Sequence, residues 1–396
     1  MYPAKNGDAF LVREYMTEPT MILIDGGYVT TFQKHILPDL IDFAQLGYSL
    51  DVVVSTHIDT DHIAGLLSFF QLNGKAQEPK IIRVENVLHN SLRSFVYMPI
   101  KEGKATPSDK DLLTEICRRG YPIHAETESE PSEISARQGS SLACLLLKGG
   151  YLWNKGDGTH SINSDSTANL NFRSDLRFHV LGPTLTRLEQ LYHWWVKELR
   201  SLSFTGRIAA NEVHDDIFEF LCAFEDLRVS SNEKIAELSG ASNFTLDEVY
   251  QPDDSLTNSS SISLIVEIGN SRLLFLGDSC SEDIELAIQN LPNVAFPLIF
   301  NVIKISHHGS LHNTSPSLLE LIDSPIYLIS SNGVRHSHPS FEVLKKIVDR
   351  PCDFTRKIYF NYSTPASQQM RNYISESKSS FEIYENAKDW IDITVR

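Results

Sequence analysis

The chain has no long apolar run, few cysteines and a shortage of basic residues, and each lack argues against a class of function. None of its 396 residues falls in an apolar stretch approaching the roughly 18 needed to span a bilayer. The opening Met-Tyr-Pro-Ala-Lys-Asn-Gly-Asp carries no apolar signal-peptide core. The expectation is a cytoplasmic protein without a membrane partner. The five cysteines, Cys117, Cys144, Cys222, Cys280 and Cys352, are odd in number, scattered and free of any Cys-x-x-Cys pair. That pattern suggests neither a disulfide framework nor a thiolate zinc site, and leaves the cysteines as small buried hydrophobes. Lysine and arginine number 35 against 51 acids, a formal charge of −16. Such a surface argues against a broad footprint on duplex DNA, whose phosphates demand clustered cations, while leaving room for a local basic groove. Low-complexity segments and short internal repeats are also missing.

What is present is a 41% hydrophobic composition, enough for a full core in one large domain with insertions or in two ordinary ones. Short apolar runs at 9–13 and 20–25, the second stopped by Gly26-Gly27, read as adjacent strands. A helical pattern over 32–46 follows, then a strand at 51–56 and a helix beginning just after His62. Residues 81–89 read as the next strand, 138–147 as helix or strand, and 151–153 as a packed strand. Residues 184–250 differ, with helical periodicity around 185–202 and 213–227 and no strand signal, which marks a helical insertion within the fold. Trp194, Trp195, Tyr192 and Leu199 fall there, as insertion core or as an aromatic wall or partner surface. The runs 261–269 and 271–277 look like a hairpin. Strands at 302–306, 325–331 and 357–361, with a helix at 340–348, complete the alternation of an α/β (in some schemes α+β) chain.

Chemistry concentrates at strand ends. The apolar run Val52-Val53-Val54 stops at His57-Ile58-Asp59-Thr60-Asp61-His62, four potential metal ligands within six residues. Imidazole with carboxylate suits zinc, manganese or iron better than calcium or magnesium alone. The alternative, a polar loop satisfying backbone groups, leaves unexplained why further acids and histidines close later strands: Gly277-Asp278 and Lys304-Ile305-Ser306-His307-His308-Gly309-Ser310.

Together with Gly7-Asp8-Ala9, Leu23-Ile24-Asp25-Gly26-Gly27, Asn258 to Ser261 and His338-Pro339, these segments resemble the metallo-β-lactamase superfamily, and within it the branch similar to the hydrolase domain of the ComEC competence proteins. The resemblance runs from about residue 3 to beyond 340. It implies a single domain over 1–396, an αββα sandwich of two mixed sheets interrupted by the helical insertion at 184–250, with two divalent metals (Zn or Mn) at one edge. His57 and Asp59 would hold one metal and Asp61 and His62 the other, with Asp278 bridging and His307 or His308 completing the second; His307 is favoured, since strand alternation points only one of the pair inward. Asp25 and Asp8 would orient these ligands. A metal-bound hydroxide would be the nucleophile.

The resemblance also exposes a departure. Most two-metal members place a further histidine after an intervening strand; here 178–183 offers Gly182 and Pro183, so the first metal would be weakly held unless His89 substitutes. Asp61 and His338 are the catalytic candidates, His338 as general acid or oxyanion donor or, alternatively, as a loop histidine bracing the turn before Pro339. Lys304 either attracts a phosphate or is solvated. The function implied is a phosphodiesterase or nuclease on nucleotide or single-stranded substrates. Alternatives are a lactone or thioester hydrolase, or a component of a bacterial defence complex: Leu88-His89-Asn90-Ser91 and Gln138 to Leu142 look like metallo-hydrolases found beside anti-phage genes such as AVAST systems. In that case a protein partner would dock on the helical insertion. Oligomerisation is left open.

Overall fold

The computed structural model describes residues 1–15, 19–95, 140–202, 204–206, 208–223, 244–334 and 338–393, with the isolated positions 107, 108, 111 and 115. Two mixed sheets face each other. In the first, β1 (Phe10–Glu14) pairs antiparallel with β2 (Thr20–Ile24), and β3 (Val52–Val54) and β4 (Val87–Leu88) add in parallel. The second has eight strands in chain order from one edge to the other. An antiparallel succession, β5 (Asn169–Arg173), β6 (Leu176–Gly182), β7 (Ser263–Ile268) and β8 (Ser271–Phe275), gives way to parallel β9 (Val302–Lys304), β10 (Ile326–Ile329), β11 (Arg356–Phe360) and β12 (Phe381–Tyr384).

Burial follows the two-residue period of the strands. Ile22, Ile24, Val52 and Val54 meet Phe178, Leu264, Val266, Phe275 and Leu328 between the sheets. Their alternates Met21, Leu23 and Val53 face an outer helical layer: α1 (Leu37–Gln45), α2 (Thr60–Asn73), α3 (Leu142–Gly149), α4 (Leu185–Ser201) and α5 (Glu212–Cys222). On the far side Ile265, Leu274, Ile303, Tyr327 and Ile358 meet α6 (Ser281–Gln289), α7 (Pro316–Leu321), α8 (Phe341–Asp349) and α9 (Pro365–Met370). The helices α4 and α5 have no core of their own. Tyr192, Trp195 and Leu199 are buried, and Trp195 packs against Phe218 and Tyr192 against Phe95, so these aromatics are core rather than a substrate wall.

Several local expectations change. In 81–89 only Val87–Leu88 is strand; Leu50 bridges Val84, and the ladder breaks between them. Residues 142–149 resolve as helix because Ser141 Oγ accepts from the Cys144 amide as N-cap. Tyr151 to Trp153 form no strand, Trp153 making only isolated bridges to Val87 and Asp157. The helix after the first motif starts at Thr60, within it rather than beyond it. Helix α9 and strand β12 extend the second sheet past the expected last strand. Cys144, Cys222 and Cys280 are buried, and Cys117 lies outside the described residues. Among the described residues no helix is long and apolar enough to cross a membrane.

Candidate metal centre

Strand direction assembles the site. The carboxyl ends of β2, β3, β8 and β9 lie at one edge, and Asp25, His57 to His62, Asp278 and His307-His308 follow them in turn. Phe275 pairs with Lys304 and Ile24 with Val54, so neighbouring strands finish flush. Helix α2 begins inside the first motif: Asp59 is extended, and its carbonyl accepts from the His62 and Ile63 amides. Asp61 and His62 thus occupy the first helical turn, where the helix dipole favours the Asp61 carboxylate. Glycine permits the close seating of this turn. A Cβ on Gly65 would collide with the Gly26 carbonyl, and one on Gly7 with the Asp61 carbonyl.

Asp278 is the hub. Its Oδ2 lies 3.3 Å from His62 Nε2, 3.6 Å from His308 Nε2, 3.7 Å from His307 Nε2 and 3.9 Å from His57 Nε2. Asp59 Oδ2 is 3.3 Å from His57 Nε2, and Asp61 Oδ2 is 3.8 Å from His308 Nε2. Three sets have ligand atoms within 4.8 Å of one another: His57, His62 and Asp278; Asp61, His62 and His308; Asp278, His307 and His308. A fourth set, Asp8, Asp25 and His62, stands behind them. Hence His62 belongs both to the set with His57 and to the set with Asp61, the latter joined by His308.

Both histidines of the pair reach the hub because the backbone there is not a strand. His307 and His308 have φ of 42° and 56°, the left-handed region, which costs side-chain-bearing residues on the order of 1–3 kcal/mol each. Strand alternation therefore does not apply to them. The turn is pinned by His307 N–H donating to the Gly277 carbonyl at 3.0 Å and by Ser310 N–H donating to the His307 carbonyl at 2.8 Å.

The outer ring nitrogens decide what the inner ones offer. His62 Nδ1 is 2.9 Å from Asp25 Oδ2, His308 Nδ1 is 2.8 Å from the Ser330 carbonyl, and His307 Nδ1 is 2.7 Å from Asn313 Oδ1. His57 Nδ1 is 3.0 Å from Thr56 Oγ1, whose own proton goes to Asp25 Oδ2 at 2.7 Å. Every outer partner accepts, so each Nδ1 carries the proton and Nε2 is the atom presented to Asp278. His57 Nε2, His62 Nε2, Asp59 Oδ1 and Asp278 Oδ1 are buried with no hydrogen-bond partner. A buried group of acceptors without donors fits a cation, and a mixed imidazole and carboxylate set fits a divalent transition metal.

The electrostatics agree. Burial alone would raise the Asp278 pKa, but His62, His308, His307 and Lys304 hold it well below the ordinary carboxylate range. Burial likewise opposes charge on His62, and Asp278 and Asp25 overcome it, holding the ring's pKa well above the ordinary value. Positive charge is stabilised at the centre.

The remaining expected residues divide. Asp25 binds the Thr56 amide (2.8 Å) as well as its hydroxyl and His62, so it positions both histidines of the first motif. Asp8 pairs with Lys304 and lies 3.3 Å from His308 Nδ1; burial opposes its ionisation, but Lys304 and His308 bring its pKa to about 2. Lys304 is enclosed, donating to the Gly277 carbonyl at 3.0 Å and lying 3.6 Å from Asp278 Oδ1. That removes it from contact with a substrate phosphate. His338 packs edge-on against His307, ring centres 5.1 Å apart, and is partly exposed. His89 stands apart, its Nε2 2.9 Å from Glu219 Oε1 and its ring stacked on Trp153. Gly182-Pro183 provides no side-chain ligand, as expected of that strand end.

A family model described as "Metallo-beta-lactamase superfamily" matches residues 2–129. The match places those residues in that superfamily. It spans Asp8, Asp25 and His57 to His62, and stops before Asp278, His307 and His308, which the fold brings to the same point. No curated protein matches the chain. The superfamily assignment of residues 2–129 and the His/Asp sets together support a metal-dependent hydrolase.

Sequence reasoning passed over Thr56, Asn6, Asn313, Asp253 and Ser330. Asn6 Nδ2 donates to Asp61 Oδ2 at 2.9 Å, and the others hold the histidines from outside. Only Thr56 and Asn6 carried a signal, by adjacency to the motifs.

Proposed function

We propose that this protein is a metal-dependent phosphodiesterase acting on nucleotides or single-stranded nucleic acid. The observation that carries the reading is the convergence of four imidazole Nε2 atoms on Asp278 Oδ2, with Asp59 and Asp61 beside them. His57, Asp59, Asp61, His62, Asp278, His307 and His308 would hold two divalent cations, zinc or manganese. Such cations acidify water and neutralise charge building on an ester oxygen under attack. Asp61, partly exposed and steered by Asn6, orients the attacking water at the open edge of the cluster. His338, beside His307 and accessible, hands a proton to the leaving oxygen. The phosphodiester is preferred to a lactone or thioester on the resemblance to the ComEC-like branch. The charge of −16, with Lys304 withdrawn into the protein, favours substrates of few phosphates over long duplex DNA.

A second reading, control by a protein partner such as one encoded in a bacterial defence system, draws on one contact. Thr60 Oγ1, between two ligands, donates to the Ala223 carbonyl at the end of α5 at 3.4 Å, so movement of the helical segment bears on the ligand loop. The test of the main reading is metal analysis of purified protein with hydrolysis of bis-p-nitrophenyl phosphate and single-stranded DNA in manganese and zinc. Metal-free protein that stays inert with every added cation overturns it.

A further inference from the structure

We propose that Asn313, held in turn by Asp253, is a positioning residue that fixes the tautomer of His307 and so keeps its Nε2 directed at Asp278. The assignment follows from what each atom can do. Asn313 has one side-chain nitrogen, which only donates, and one oxygen, which only accepts. Two acceptors lie on one side of its amide: Asp253 Oδ2 at 2.8 Å and the Asp278 carbonyl at 3.1 Å. The amide nitrogen must face them, so Oδ1 faces His307 Nδ1 at 2.7 Å. His307 Nδ1 must then donate. The proton is committed to the outer nitrogen, and Nε2 is left toward Asp278 Oδ2, 3.7 Å away. Asp253 itself stands 3.9 Å from His307 Nδ1, too far for a hydrogen bond, and acts through the amide.

Asp253 is locked as firmly. Its Oδ2 also accepts from Asn258 Nδ2 at 2.7 Å, and Oδ1 accepts from the Ser255 amide at 3.0 Å. The two loops are clasped by backbone as well, the Asp253 amide donating to the His312 carbonyl at 3.1 Å and His312 Nδ1 meeting the Gln251 carbonyl at 2.8 Å. The sequence His-His-Gly-Ser-Leu-His-Asn thereby has a second function beyond its histidine pair: Asn313 closes a carboxylate–amide–imidazole chain. That chain begins just past the short helix Leu246–Val249. Asn313 is wholly buried, which shields the chain from water and strengthens it.

The consequence for metal binding rests on the hydrolase reading; the tautomer does not. The experiment measures both, on the full chain. Two-bond proton–nitrogen correlation of ¹⁵N-histidine protein without added metal reports the His307 tautomer, and chelator competition reports zinc affinity and stoichiometry. His307 is expected in the Nδ1–H form in the native protein. Asn313→Ala should mix the two tautomers and weaken one zinc ion about 10–100-fold, the range for losing such an outer partner. Asp253→Asn, the milder change and the safeguard should Asn313→Ala not fold, should weaken it by about 10-fold. In Asp253→Asn combined with Asn313→Asp an acceptor for Nδ1 returns without opposing carboxylates, and the Nδ1–H form should be restored. An Nε2–H His307 in the native protein, or an unchanged tautomer and zinc affinity in Asn313→Ala, overturns the proposal. A native protein that binds neither zinc nor manganese and stays inert with every added cation overturns the hydrolase reading, while the tautomer measurement still judges this one.

Discussion

Two buried groups of acids and histidines sit side by side at the ends of β3 and β4, and they behave oppositely. At β4, Glu219 meets His89 at 2.9 Å and accepts from the Leu142 amide at 2.7 Å and the Ala143 amide at 3.1 Å, capping α3. Asp216 accepts from the Ser141 amide, and Asp215 pairs with Arg93. Each of these acids meets a donor, although Asp215 Oδ1 and His89 Nδ1 stay buried without a hydrogen-bond partner. At β3 the histidines have spent their donors outward, and the inner face offers acceptors to acceptors. Counting titratable residues would not separate the two groups. The balance of donors and acceptors does, and it makes one a mortise between helix and sheet and the other a group able to hold a cation.

The sharpest break between them comes from changing one carboxylate in each. Asp278→Asn removes the hub, and hydrolysis should fall by about 10³-fold, roughly 4 kcal/mol of barrier, with metal content lost and the far-UV dichroism retained. Glu219→Ala should do the reverse. It uncaps α3 and strands His89, so urea denaturation should show a loss of roughly 3 kcal/mol, with two metals per chain still bound at temperatures where the variant is folded. Metal loss in Glu219→Ala would merge the two groups into one and defeat the distinction.

His338 sharpens the comparison from a third position, touching the cluster through His307 without belonging to any of its ligand sets. If it serves as proton donor, His338→Gln should lower turnover by about 10²-fold while metal content holds, and the deficit should shrink for esters with acidic leaving groups. Equal loss for all leaving groups would reduce it to a loop residue.

How much of this was legible in sequence depends on distance along the chain. His57 to His62 could be read because four ligands share one loop at the end of an apolar strand, and Asp278 and His307-His308 because each closes a strand of its own. His89 misled for the same reason: it too ends a strand, and its true partner Glu219 lies 130 positions away in a helix with no local sign of the contact. Alternation failed at His307-His308 because left-handed backbone, invisible in residue type except for the following Gly309, replaces the strand. Lys304 stayed open between a phosphate contact and a solvated side chain, since nothing local shows that Asp8, from the opening segment, encloses it.

A third buried carboxylate, remote from both groups, sets the limit of full compensation. Asp323 Oδ1 accepts from Arg350 at 3.1 Å, from Arg356 Nε at 3.0 Å and from the Tyr327 hydroxyl at 2.9 Å. Burial would raise its pKa, and the Arg356 and Arg350 guanidinium groups outweigh burial and hold it below the ordinary 3.8. A carboxyl group depressed in the folded state contributes stability in full above its unfolded value, and loses it as pH falls through the lower folded one. The native protein should therefore lose stability as pH drops below 3.8 by more than Asp323→Asn does, the variant having already lost the pair at neutral pH. Urea midpoints at pH 7 and pH 3 for both proteins measure it. Parallel pH profiles would mean that Asp323 is no better compensated folded than unfolded, and that the donor-and-acceptor balance separating the β3 and β4 groups does not extend to the rest of the core.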